Sequence, residues 1–243
     1  MTTDHGELAP KRVYSTLSVI MPVFNERSTL AEVIRRMRAV ELPLVLQIIA
    51  VDDGSSDGSD KILGALEDST MRVITHKQNR GKGAAIRTGM AAATGDLILI
   101  QDADLEYDPD DWPRLLDPIF KGKARVVYGS RFTGERKNML PLHWVANRAL
   151  SLTTNILYRS TLSDMETCYK LFDAQAIEGI TIRSNRFDFE PEITAKVLRR
   201  GLRIYEVPIS YAGREPDEGK KITWRAGFSA FAALIRFRFA RED

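Results

Sequence analysis

Asp102 and Asp104 close the apolar run Leu97 to Gln101, so a segment with the character of a buried strand ends by delivering two carboxylates one residue apart. Left to themselves the two charges repel. A hard divalent cation relieves that repulsion, because Mg2+ and Mn2+ take oxygen ligands and are commonly shared between one or two carboxylates and substrate phosphates. Glu106 continues the alternation and offers a further oxygen. The bland alternative is a pair of helix-capping acids ahead of Pro109. Other acids follow other apolar runs: Glu26 in PVFNE, and Asp52 with Asp53 in VDDGSSDGS. Short carboxylates on Gly-rich turns can accept hydrogen bonds from a base or a ribose, although Asp, Gly and Ser also shape turns for purely conformational reasons.

The basic groups are equally localised. NRGKGAAIRTG sets Gly81, Lys82 and Gly83 at the opening of a helix, where the backbone can approach a ligand and the helix N-terminus favours an anion. The spacing is not that of a P-loop, and no G-x-G-x-x-G follows the first apolar run, which argues against an ordinary NTPase and a nicotinamide enzyme. Arg131 in GSRF and Arg148 in VANRALS can each grip a phosphate with two parallel hydrogen bonds; a solvated surface position is the plain alternative for both. Further on, YAGREPDEGKKITW carries Arg214, Lys220 and Lys221 on a charged loop.

These groups need a scaffold. Apolar, β-branched runs recur at Leu17 to Val23, Leu46 to Asp52, Met71 to Thr75 and Leu97 to Gln101, each followed by a turn and a helical pattern. That alternation predicts an α/β domain with a Rossmann-like, mostly parallel twisted sheet and helices on both faces. In such a sheet ligands bind beyond the carboxyl ends of the strands, which is where the acids fall. Helix starts are marked by Ser28 and Thr29, by Asp57 and by Pro109. A strand is expected over Arg125 to Ser130, a helix over Leu142 to Tyr158, a short strand near Tyr169 to Phe172, a helix over Phe189 to Arg200 stopped by Gly201, and a last strand over Leu202 to Ser210.

The 243 residues suffice for a single core. The reading divides them into a disordered lead-in over 1–16, a catalytic domain over 17–212 and a basic lid loop with a C-terminal amphipathic helix over 213–243. Within the domain, a donor half covers about 17–134 and an acceptor half about 135–212. With 28% charged residues and a net charge of only +2, no nucleic-acid footprint is expected. The lone Cys168 excludes an internal disulfide and fits a cytoplasmic protein. The polar first residues lack the apolar stretch of a signal peptide, and no window reaches the roughly 18 apolar residues of a spanning helix.

Taken in order, IMPVFNE, VDDGSSDGS, NRGKGAAIRTG, DADLEYDP and GSRF resemble the family 2 inverting glycosyltransferases of GT-A fold. SDMETCYKLF, FDFEPEI and EVPISYAGR move the likeness toward the dolichol-phosphate mannose synthase and polyprenyl-phosphate glucosyltransferase group. The resemblance runs from about Leu17 to Phe239. It implies that Pro22, Phe24, Glu26 and Asp53 line the nucleotide pocket with Lys82 and Gly83. It implies further that Asp102 and Asp104 hold Mg2+ or Mn2+ on the donor diphosphate, that Glu106 adds charge to the metal shell, and that Arg131 and Arg148 bind an acceptor phosphate. Asp164 is expected near the sugar or holding an arginine, and Arg214 and Lys221 on a lid over the diphosphate.

The implied activity is inverting transfer of mannose or glucose, from GDP-mannose or UDP-glucose, to a polyprenyl or dolichyl phosphate at the cytoplasmic membrane face. A phosphate acceptor is already anionic and hardly needs a base; a hydroxyl acceptor would need one from Asp164 or an acid of FDFEPEI. The first alternative is therefore a glycosyltransferase acting on a glycan or small-molecule hydroxyl, and the second a non-catalytic nucleotide-sugar-binding scaffold. Peripheral membrane contact is expected through a face of Trp224, Phe228, Phe231, Ile235 and Phe239 flanked by Arg225 and Arg236, and through Leu150, Ile156, Leu157 and Tyr158, or else through a separate membrane protein partner. Packing of these faces on the domain is the competing account.

Overall fold

The computed structural model describes residues 12–137, 141–213 and 224–240. Its elements alternate as the apolar runs require: β1 (Thr16–Val23), α1 (Leu30–Ala39), β2 (Val45–Asp52), α2 (Ser59–Leu66), β3 (Met71–Thr75), α3 (Lys82–Ala92) and β4 (Leu97–Ile100). A 3-10 turn at Pro109–Asp111 leads into α4 (Trp112–Phe120), then β5 (Val126–Ser130), β6 (Arg136–Lys137), α5 (Pro141–Tyr158), β7 (Lys170–Asp173) and the short α6 (Ala174–Ile177). Last come α7 (Phe189–Arg199), β8 (Ile204–Pro208), β9 (Tyr211–Ala212) and α8 (Trp224–Phe239).

The main sheet runs β3-β2-β1-β4-β7-β5-β8, and β6 pairs with β9 beside it. Every neighbour in the main sheet is parallel except β7, which lies antiparallel between β4 and β5. Strands covered on both faces read as unbroken apolar runs, which is why all four residues of β4 are buried. The chain winds outward from β1 through β2 to β3, then returns to place β4 on the other side of β1. The crevice at that reversal is where an open α/β sheet binds ligands. One apolar core extends from Leu17 to Tyr211, so the expected donor and acceptor halves share it: β7 and β8 of the second half flank β5 of the first.

Two local expectations change. The lead-in expected over 1–16 is anchored from Arg12 onward, where Arg12 pairs with Asp173 at 2.6 Å. Ser15 and Thr16 both donate main-chain and hydroxyl hydrogens to Asp96. Thr29 stands at the N-cap of α1 but makes no capping bond. Its hydroxyl instead donates to the carbonyl of Ala103 at 2.7 Å, tying the start of α1 to the turn that bears Asp102 and Asp104.

Candidate active site

The end of β4 is rigidly held. Gln101 is buried and its side-chain oxygen accepts from the indole of Trp112 (3.1 Å) and the hydroxyl of Tyr169 (2.7 Å). Asp102 follows, with Lys82 Nζ 3.0 Å from its Oδ1 and 3.1 Å from Glu190 Oε1, so those two carboxylates stand at most about 6 Å apart. Burial works against the Lys82 charge, but Asp102 and Glu190 outweigh it and hold the ammonium well above its ordinary pKa. Asp104 Oδ1 accepts the Glu106 N–H at 3.1 Å, while the Glu106 carboxylate turns away to accept the hydroxyl of Tyr211 at 2.8 Å. Among the described residues no three His, Cys, Asp or Glu side chains gather closely enough to hold an ion. The three-carboxylate shell expected of Asp102, Asp104 and Glu106 is thus not assembled. Two hard carboxylates remain, a donor set that fits Mg2+ or Mn2+ when a diphosphate and water complete the coordination.

At the end of β1, Pro22, Phe24 and Glu26 are half-buried along the switch-point crevice. Asp53 is turned inward: one oxygen meets His76 Nδ1 at 2.6 Å and the Arg80 N–H at 2.9 Å, and the other accepts the Gly81 N–H at 2.7 Å. Asp53 therefore acts on the pocket through the turn before Lys82. The glycines of that turn also have a different role from the one expected. A Cβ on Gly83 would meet the carbonyl oxygen of Ser184 at 2.5 Å, and one on Gly81 would strike that of Asn185. The Ala84 N–H donates to the Asn185 carbonyl at 3.1 Å, so the backbone of that segment packs against the first turn of α3.

Across the crevice, at the end of β5, Arg131 and Asp164 form a buried fork. Arg131 donates from Nε (2.7 Å), Nη2 (2.8 Å) and its main-chain N–H (3.0 Å) to the two oxygens of Asp164. Burial opposes the guanidinium charge, Asp164 more than offsets this, and its pKa lies well above the usual value. Glu206 on β8 holds the pair from behind by accepting the N–H groups of Ser163 and Asp164. Of the two roles expected for Asp164, the fork is the arginine-holding one. Arg148 reaches the same corner from α5, donating to the Ser163 carbonyl at 3.3 Å with its guanidinium 5.7 Å from the centroid of the Phe132 ring.

Glu166, Lys170, Glu190 and Glu206 enter the sequence reading only as members of the segments SDMETCYKLF, FDFEPEI and EVPISYAGR, with no role of their own. A lysine inside the otherwise apolar strand run YKLF is the signal that was available. Arg214, Lys220 and Lys221 lie outside the described residues, as do the side chains of Trp224, Arg225 and Phe228. On α8 the described members of the expected face, Phe231, Ile235 and Phe239, are exposed, whereas Ala230, Ala233, Leu234 and Phe237 make the packing face. On α5 the exposed apolar residues are Trp144, Val145, Leu152 and Ile156; of the expected set only Ile156 qualifies, because Leu150 is buried and Leu157 and Tyr158 pack in the cluster that holds α8. No helix among the described residues is long and apolar enough to cross a membrane.

Comparison with known proteins gives a consistent picture. The family model described as Glycosyl transferase family 2 matches residues 18–180. The low-salt glycan biosynthesis hexosyltransferase Agl6 of Haloferax volcanii is 31% identical over 213 residues, which cover 86% of this chain and 51% of that protein. The chain thus spans about half the length of this curated relative. Glucosyl-3-phosphoglycerate synthase from Mycobacterium tuberculosis has a similar structure in its complex with Mn2+, UDP and glucosyl-3-phosphoglycerate. The TM-score is 0.72 at 20% identity over 94% of this chain and 81% of that one. Another crystal structure of the same synthase gives a TM-score of 0.73 at 20% identity, with 94% and 82% covered. At that identity the likeness shows the fold.

Proposed function

The chain belongs to glycosyl transferase family 2, with the GT-A fold, and from that premise we propose that it moves a hexose from a nucleotide sugar to a polyprenyl or dolichyl phosphate. The donor is GDP-mannose or UDP-glucose, the latter also bound with Mn2+ in a crystal structure of the mycobacterial synthase. The observation that carries the acceptor assignment is the Arg131–Asp164 fork. Asp164 commits both oxygens to Arg131, so Asp164 serves as the clamp on a cation rather than as a base. A hydroxyl acceptor needs a base; a phosphate, with a second pKa of about 6, arrives as a nucleophile.

Arg131 and Arg148 then grip and aim the acceptor phosphate. Asp102 and Asp104 hold Mg2+ or Mn2+, which when bound offsets the charge that develops on the leaving diphosphate. Membrane contact is peripheral, at the cytoplasmic face. On α5, Leu152 and Ile156 are 59% and 71% exposed on the helix that also bears Arg148, and Phe239 on α8 is 75% exposed among Arg236 and Arg238. Apolar rows flanked by arginines suit an interfacial helix.

The test is transfer of labelled hexose from each donor to polyprenyl phosphate and, in parallel, to polyprenol, in detergent with Mg2+ or Mn2+ and with EDTA. Chloroform-extractable product that requires both the metal and the acceptor phosphate is expected. Transfer to polyprenol or a glycan hydroxyl, with none to the phosphate, would overturn the acceptor assignment.

A further inference from the structure

Between Asp102 and the Arg131 fork lies a buried polar patch that neither end uses. Lys170 enters it from β7, fully buried, donating to the carbonyl oxygens of Met165 (2.9 Å) and Thr167 with its ammonium 4.4 Å from the centroid of the Tyr128 ring. Two of the three carbonyls of the 165–167 turn are thereby held by Lys170. Glu166 is the middle residue of that turn. Its Oε1 is covered from solvent and has no hydrogen-bond partner among the described residues, and the same holds for Oε2 of Glu190, whose side chain is only 5% exposed.

Burial first, and the Glu190 charge second, raise the Glu166 pKa, and Arg131 and Asp164 also act on it. The turn follows Asp164 of the fork directly in the chain, and Lys82 holds Glu190 within about 6 Å of Asp102. A buried acceptor without a donor is costly, and two such carboxyl oxygens between Asp102 and the fork suit a ligand that brings hydroxyl groups. Phosphate brings only further negative charge to such a pair. The part of a nucleotide sugar rich in hydroxyl donors is the hexose, and a diphosphate at Asp102 carries its hexose toward Glu190.

We propose that Glu166 and Glu190 read the transferred sugar: the hexose lies over the 165–167 turn with hydroxyl groups on Glu166 Oε1 and Glu190 Oε2, and these contacts select which hexose is accepted. This rests on the nucleotide-sugar reading above and adds the residues that discriminate within it.

The experiment measures binding of UDP, GDP, UDP-glucose and GDP-mannose to the intact chain in Mn2+ by calorimetry, for wild type, Glu166→Ala and Glu166→Gln. Glu166→Ala should lose about 2- to 10-fold in affinity for the preferred nucleotide sugar, the size of a hydrogen bond to a neutral buried group. Affinity for the bare nucleoside diphosphate should stay unchanged. Glu166→Gln, which keeps the shape and a hydrogen-bonding oxygen, should recover most of the loss. With wild type, one monodeoxy donor should show a similar loss, and Glu166→Ala should add nothing to it. Equal effects on diphosphate and sugar nucleotide, or no monodeoxy donor bound more weakly than its parent, would overturn the sugar-reading pair while leaving the transfer reading intact. No nucleotide bound by wild type would overturn both.

Discussion

Asp164→Asn separates a clamp from a base. Asp164 accepts three hydrogen bonds from Arg131, at 2.7, 2.8 and 3.0 Å, and both residues are buried. Asparagine has the same outline but a single oxygen, so at least one of those donors is stranded and the guanidinium loses its counter-charge. Little relaxation is open to the pair, because Glu206 fixes the main chain at Ser163 and Asp164. Breaking a buried ion pair from one side costs about 3–5 kcal/mol. At about 2–4 °C per kcal/mol for a chain of this size, Tm should fall by roughly 6–20 °C. Adding Arg131→Met removes the stranded charge, and should recover all but about 1–2 kcal/mol. Urea titration reads stability and the lipid-phosphate assay reads transfer. The single variant should lose both, and the double variant should regain stability without transfer. If Asp164→Asn folds with wild-type stability and yet abolishes transfer, the clamp argument fails: the acid would be taking a proton from a hydroxyl acceptor.

Two further substitutions test the surroundings. Burial, and then Glu190, push the Glu166 carboxyl from 4.5 up to about 8. The folded chain therefore keeps a proton that the unfolded chain releases, a cost absent below about pH 4.5 and complete above about pH 8. Glu166→Gln should gain on wild type by up to about 1.4 kcal/mol per pH unit across that window, and a urea midpoint difference that does not change with pH would refute it. Gly83→Ala places a Cβ 2.5 Å from the Ser184 carbonyl oxygen and 3.0 Å from that of Arg186, backbone atoms that cannot rotate away. It should cost about 1–3 kcal/mol and weaken donor binding by displacing Lys82; a wild-type melting temperature would show that the 184–186 segment yields freely.

The strands were legible in the sequence because each is an apolar, β-branched run ended by a turn, and the acids at their ends were legible because charge stops such a run abruptly. Strand direction was not: β7 reads like its parallel neighbours, and only the chain's entry from α5 makes it antiparallel. Partner choice was hidden for the same reason. Asp53, Asp102 and Glu106 are alike as strand-end carboxylates, yet their partners are His76, Lys82 and Tyr211, set by segments 23, 20 and 105 residues away. Gly81 and Gly83 carry the composition of an anion-binding turn, but the same lack of a Cβ admits the backbone of 184–186, and sequence cannot say which ligand the space was made for. Glu190 reads as an acid in the first turn of α7, where it complements the helix dipole.

The two ends of the site obey different electrostatic rules, and the difference bears on the chemistry. At the donor end the cation facing Asp102 is a lysine on a flexible stem, shared with Glu190 and still partly open to solvent. A point charge of that kind can hand Asp102 over to an incoming diphosphate and its metal while staying on Glu190, so the apo site need not carry two unneutralised carboxylates. At the acceptor end the cation is an arginine whose Nε and Nη2 are already spoken for by Asp164, with the carboxylate itself fully buried. A guanidinium fixed along one edge presents its remaining N–H groups in one direction, so an anion meets a preformed cradle without prior rearrangement. An exchangeable cation at one end and a fixed one at the other suit the in-line attack by a phosphate proposed above. Attack by a hydroxyl would instead call for a base, a role that Asp164 does not fill with both of its oxygens engaged by Arg131.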